Sequence, residues 1–298
     1  MNMSEDSSEK PNLPVNKIYD GLVKKLESEM SSSDMKSVKK VYEHLQSKNL
    51  KPVSIRNYFT ALICTMRKRG ASEKTLKPFI TLRDKLSAQY EKRMDNGEMT
   101  KLQEDNWVTW DIINRIGEEL RKEFNETKNP DLIQKIALLE FYKFLPIRND
   151  AYKINVVTKT QFKKIPKEER EKGNYLIRIR KQNIVQIGDY KTAKIYGPQQ
   201  YELPEHLNNI INAWLGYNKT PYLFINKNGQ PFTRNSFTRY FQSIFSKYTD
   251  KKVGTRMFRH IYSTEKYGKI RNELLEDARK MGHSLKTQHR IYNKPIVE

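Results

Sequence analysis

Ile55, Tyr58, Phe59, Leu62, Ile63 and Met66 recur at i, i+3, i+4, i+7, i+8 and i+11, the spacing of a helix that buries one face. Ser54 is available ahead of the run as an N-cap, and Gly70 beyond it as a stop. Shorter stretches of the same kind come first: Ile18, Leu22 and Leu26, then, after a break at Ser31–Asp34, Val38, Val41, Tyr42 and Leu45. A further helix is expected around Thr75 to Arg93. Successive amphipathic helices predict a small helical domain over residues 15–94. Residues 1–14 lack an apolar pattern and read as a disordered tail.

Asp95-Asn-Gly-Glu98 has turn chemistry without periodicity, so residues 95–105 read as a linker and 106–298 as a second, larger domain. Thr109 followed by Trp-Asp-Ile-Ile opens a helix there, and Leu132 to Phe144 is dense in apolar residues up to Leu145-Pro-Ile-Arg148. Tyr175–Ile179, Ile184–Ile187 and Ile195–Leu203 alternate as strands do, with Gly188-Asp189 as a turn signal, and predict a small antiparallel sheet. Helical spacing returns from Leu207 to Leu215 and from Phe237 to Tyr248. The expected fold is mainly α with a small antiparallel β-sheet, in two domains, the second mixed α/β. A length of 298 residues suits that division.

Charge narrows the partners. Lys and Arg number 56 against 35 Asp and Glu, a net charge of +21, which points to a polyanion and first of all to double-stranded DNA. Arg56, Thr60, Arg67 and Lys68 occupy the polar face of the Ile55–Met66 helix, either as contacts to DNA phosphates or as solvated surface. One cysteine, Cys64, excludes a disulfide framework or a cysteine metal cluster within one chain. No apolar run reaches the roughly twenty residues of a bilayer span, and the first residues are acidic and polar, unlike a signal peptide. The expectation is a soluble, intracellular protein with no membrane partner.

The last forty or so residues carry the chemistry. Thr255-Arg-Met-Phe-Arg-His260 holds two arginines, His283 follows a glycine, and Tyr292 lies nine positions beyond His283. A phenol to attack, guanidinium groups to hold a phosphate and an imidazole to hydrogen-bond developing charge describe a phosphoryl-transfer site without metal. The five histidines show no metal-ligand spacing, and no phosphate-binding glycine loop is present, so no metal and no cofactor are expected. The phenol needs cations nearby to favour the phenolate. The departing sugar oxygen needs a proton, for which a lysine serves.

These residues resemble the tyrosine recombinase (phage-type integrase) family. Arg259-His260 falls where that family has its second arginine, Met281-Gly-His283 where it has Leu-Gly-His, and Tyr292 at its usual spacing; Arg256 stands where the family usually has a histidine. The resemblance implies a helical core-binding domain ahead of the catalytic domain. It assigns the first arginine to Arg148, with Asp150 as a supporting residue, and the general acid to Lys191 in Tyr190-Lys-Thr192, with Lys194 as the alternative and a DNA contact. It further implies an integrase of a virus or mobile element, working as a homo-tetramer on DNA. His260 reads as packing beneath the arginines. Two rivals stand beside this reading: a type IB-like DNA topoisomerase, and a DNA-binding protein with a decayed site, for which Arg256 is the main support.

Overall fold

The computed structural model describes residues 15–293; the stretch read as a tail, 1–14, lies outside them, as do residues 294–298. The chain divides into two compact units between Glu98 and Met99.

In the first unit, α1 (Val15–Glu29), α2 (Val38–Ser47), α3 (Pro52–Lys68) and α4 (Glu73–Asp95) enclose one core that includes Leu26, Val41, Leu45, Phe59, Leu62 and Phe79. Ile55, Tyr58, Phe59, Leu62 and Ile63 of α3 are buried and Met66 packs against them. The helix starts earlier than Ser54: Lys51 is the N-cap and Pro52 holds the first helical position, where its missing N–H costs nothing and its φ is already helical. Gly70 does end α3. At φ +79° its N–H donates to the Arg67 carbonyl while that of Ala71 donates to Met66, the paired bonds of a Schellman motif. Ser72 then caps α4, its hydroxyl accepting from the Thr75 N–H at 3.3 Å.

The second unit opens with α5 (Lys101–Asn106), started by a capping box of Thr100 and Gln103. The stretch read as a linker therefore carries a short helix. Thr109 caps α6 (Trp110–Thr127), and α7 (Pro130–Phe144) forms the centre, with every residue from Leu132 to Tyr142 buried except Lys135. Its two buried polar side chains are satisfied: Gln134 bonds the backbone of Ile225 on both its nitrogen and its oxygen, and Glu140 accepts from Arg121 and Lys143.

There follow β1 (Asn155–Thr158), α8 (Lys159–Lys164), α9 (Lys167–Lys172), β2 (Asn174–Arg178), β3 (Ile184–Ile187), α10 (Ala193–Tyr196) and β4 (Gln199–Glu202). The sheet has the order β1-β2-β3-β4, with β2–β3 and β3–β4 antiparallel. It is mixed rather than purely antiparallel, because β1 joins the edge parallel to β2, Asn155 opposite Tyr175. At four residues, β1 is too short to show alternation. The third expected strand is also shorter than read: Ala193–Tyr196 is a helical turn ended by Gly197 at φ +65°, and only Gln199–Glu202 pairs.

The unit closes with α11 (Glu205–Tyr217), α12 (Arg234–Ser246), α13 (Thr255–Lys280), α14 (Leu285–Thr287) and a π-helical turn, Gln288–Tyr292. The N-terminal end of α13 reaches the core through Phe258 and Ile261. No helix among the described residues is long and apolar enough to cross a membrane.

Candidate active site

Arg148 leaves the buried end of α7 at a fixed point. Tyr142, fully buried, donates its hydroxyl to the Arg148 carbonyl at 2.6 Å. Two residues on, Asp150 is 4 % exposed, and its carboxylate accepts from Arg234 Nη1 at 2.8 Å. Arg234 opens α12, its guanidinium lies 4.8 Å from the centre of the Tyr152 ring, and Asp189 Oδ2 stands 3.7 Å from its Nη2.

Buried Asn174, the first residue of β2, ties this segment to the loop after β3. Its amide nitrogen donates to the Asp150 carbonyl at 3.0 Å, and its oxygen accepts from the N–H groups of Gly188 (2.9 Å) and Asp189 (2.8 Å). Gly188 is required by close approach, since a Cβ there would meet the Glu171 carbonyl oxygen at 2.2 Å. The loop continues through Tyr190, whose hydroxyl donates to the Gly197 carbonyl at 2.7 Å, and so spans the turn that carries Lys191 and Lys194. Both lysines are exposed.

On α13, Phe258 faces the core and Arg259 follows it, half-buried at the core margin. Arg148, Asp150 and Arg259 line one cavity of about 200 Å³ together with Tyr190, Thr192 and Tyr201. Burial first, and the neighbouring Arg148 second, push the Arg259 guanidinium down from its usual value; Asp150 acts in the opposite sense. His260, expected to pack beneath the arginines, is instead exposed on α13; partial loss of solvent, then Arg256 and Arg259, hold it below its ordinary value. Hydrogen bonding to Asp150 raises Arg234. Among the described residues neither Arg148 nor Arg259 makes an ion pair, whereas Asp150 is engaged by Arg234. Guanidinium groups gathered without equal countercharge form an anion site, and their planar forks suit the oxygens of a phosphate.

The tail residues form a second group. Gly282, at φ +74°, donates to the Arg279 carbonyl, and His283 N–H donates to that of Ala278, a Schellman motif that ends α13 and sets His283 just past it. The His283 ring stacks on Tyr292 at 4.6 Å and 11°. Tyr292 is 57 % exposed, and neither it nor His283 lines the cavity of Arg148 and Arg259. Arg256 is exposed on the first turn of α13. In the first unit, Arg56 lies over the Tyr90 ring at 5.3 Å, Arg67 pairs with Glu73 at 3.1 Å, and Lys68 is exposed. The sequence reading missed Arg234, Asn174 and Asp189. Arg234 lies just ahead of the Phe237–Tyr248 periodicity and carries no signal of its own, and nothing near Asn174 signals its role.

No protein-family model matches the chain, and no curated protein sequence matches it. Among solved structures it is similar to the crystal structure of XerA recombinase, with a TM-score of 0.37 and 15 % identity over 94 % of each chain.

Proposed function

We propose that this chain is a DNA strand transferase of the tyrosine recombinase kind, cutting and rejoining DNA without metal or nucleotide. The observation that carries this reading is the meeting of Arg148 and Arg259, far apart in sequence, at one cavity beside a buried Asp150 held by Arg234. The spacing of Arg256, Arg259, His283 and Tyr292 supplies the remaining groups.

In the proposed reaction the Tyr292 phenolate oxygen attacks a backbone phosphorus, forming an O–P bond as the bond to the 5′-oxygen breaks. Lys191, or in its place Lys194, gives that oxygen its proton, leaving a 5′-hydroxyl and a 3′-phosphotyrosyl link. Arg148, Arg259 and Arg256 hold the charge that builds on the non-bridging oxygens, and His283 hydrogen-bonds the same phosphate. A 5′-hydroxyl from another strand reverses the step with net conservation of ester bonds, so no energy source is consumed. Exchange of strands between two duplexes involves four cuts, which a homo-tetramer on DNA provides. Arg56, Arg67, Lys68 and Lys194 would contact the DNA backbone, with the helical first unit in the role of a core-binding domain. Integration of a viral or mobile element is the process this chemistry serves.

The test uses nicked duplexes tiled across the DNA that flanks the chain's own gene, with a denaturing gel to detect protein bound covalently to DNA. The wild-type chain is expected to form an adduct. Tyr292→Phe is expected to form none while binding DNA as before, and Arg259→Ala to slow adduct formation by about 10²–10³-fold, the scale of one lost transition-state donor. An adduct persisting in Tyr292→Phe refutes the assignment. Absence of any adduct with tight binding returns the case to a DNA-binding protein, and site-independent relaxation of plasmids by monomer to a topoisomerase.

A further inference from the structure

Ile195 and Tyr196 are the two most exposed large apolar side chains among the described residues, at 74 % and 67 %. They are neighbours in sequence and close the single helical turn α10. Apolar side chains scattered one by one over a surface are ordinary; two side by side on one small turn are not. Lys191 before the turn and Lys194 within it are exposed as well, and neither makes an ion pair among the described residues.

The turn is held so that the apolar pair stays in solvent. Tyr190, packed against the core, donates its hydroxyl across the base of the turn to the Gly197 carbonyl at 2.7 Å. The Gly197 N–H donates to the Ala193 carbonyl at 2.8 Å, and the side-chain amide of Gln199 on β4 donates to the Tyr196 carbonyl at 2.7 Å. These bonds fix the backbone and prevent the turn from folding back to cover its own side chains.

The position of the turn limits what it meets. Tyr190 and Thr192 line the cavity of Arg148 and Arg259, and Ile195 follows Thr192 by three residues, about 5 Å of helical rise. Successive nucleotides stand about 3.4 Å apart along a strand, so a backbone phosphate in that cavity brings the turn to bases within about two steps of it. Four residues are too few to lie along the major groove as a recognition helix. Apolar tips inserted from the minor groove, by contrast, part base steps.

We infer that Ile195 and Tyr196 form an apolar wedge that enters the minor groove beside the bound phosphate and parts one base step. The inference rests on the reading of the chain as an enzyme of DNA and adds to it a means of choosing the site. Both are positioning residues, touching bases rather than reacting atoms. Parting costs least at flexible pyrimidine–purine steps such as TA, so the wedge makes the choice of site depend on how easily the DNA deforms, without a hydrogen bond to a base edge.

Two duplexes of identical composition test this without a known target: one of repeating TA, rich in flexible steps, and one of an adenine strand paired with a thymine strand, which is stiff. Tyr292→Phe serves as the parent chain, so that no strand is cut. A loop acting through its lysines alone favours the stiff duplex, whose narrow minor groove attracts cations. The wedge reverses that order, and the parent is expected to bind repeating TA about tenfold more tightly, a difference within the cost of parting one step. Ile195→Ser with Tyr196→Ser is expected to abolish the preference, and Ile195→Leu with Tyr196→Phe to keep it. Both pairs change exposed positions and remove no lysine or arginine, so the salt dependence of binding stays the same. Parting a step also unwinds the duplex: a nicked plasmid sealed by added ligase in the presence of the parent is expected to close with a reduced linking number, and in the presence of the serine pair with an unchanged one.

A preference for the stiff duplex, equal affinity for both, a TA preference that survives the serine pair, or an unchanged linking number with the parent overturns the inference. So does a fall in oligomer mass caused by the serine pair in the absence of DNA, which identifies the two residues as a contact between copies of the chain. Adduct formation enters none of these measurements. Wedge signals without any adduct on the tiled duplexes keep this inference and refute strand transfer, adducts without wedge signals do the reverse, and failure to bind either duplex refutes both.

Discussion

Tyr142 does two jobs with one side chain. Its ring fills the centre of the second core, 4.7 Å from Phe241 and 6.2 Å from both Phe237 and Phe258, and its hydroxyl fixes the backbone of Arg148. Burial pushes its phenol well above the usual tyrosine range, with Asp150 adding to the rise, so it stays a neutral donor. Tyr142→Phe keeps the packing and leaves the Arg148 carbonyl without that donor. It is expected to lower stability in urea by about 1–3 kcal/mol, and to slow adduct formation more than it weakens DNA binding. Equal stability of the two proteins contradicts this role. In the sequence, the stretch around Arg148 reads equally as a surface arginine at a helix end, and only the family resemblance singles it out. Arg234 and Asn174 were not legible, because a polar residue shows its partner only when the fold joins distant segments, and Asp150 meets Arg234 across the chain.

Among the elements, those that bury an apolar face or an entire apolar run were the readable ones. The apolar stripe of α3 maps onto buried residues because burying one face imposes the helical period, and α7 is apolar throughout because it is buried on all sides. Boundaries followed local chemistry that competes with the period: Pro52 drew the start of α3 forward, and the helical turn of α10 shortened β4. The parallel edge β1 is set by long-range pairing with β2, which four residues do not encode. At the end of α13 the chain relies on Gly282, whose positive φ suits no Cβ. Gly282→Ala is expected to weaken this stop by about 1–2 kcal/mol, and hydrogen exchange of the His283 amide, which bonds Ala278, should then rise by roughly tenfold. Unchanged exchange would mean that His283 is held by something other than the Schellman bonds.

For the molecule as a whole, the +21 charge and the two separate cores set the terms of any encounter with DNA. Much of the basic surface has no acidic partner to neutralise it, since Lys and Arg outnumber Asp and Glu by 56 to 35. Polyanion binding then proceeds by release of condensed counterions, and its strength falls with salt in proportion to the phosphates contacted. With six to ten such contacts, affinity should drop by about 10³–10⁵ between roughly 50 and 200 mM salt. Tyr292→Phe should follow the same line, because it removes one hydroxyl and no lysine or arginine contact to phosphate. Lys191→Ala and Lys194→Ala should each reduce the slope of log affinity against log salt by about 1 where the lysine meets a phosphate. Fluorescence anisotropy with a labelled duplex across that salt range reads all four proteins. A slope near zero would mean that the excess charge does not serve DNA binding. A full slope left unchanged by both lysine substitutions would leave binding intact but put the 5′-oxygen beyond the reach of the loop between β3 and β4, so that another residue would have to donate the proton.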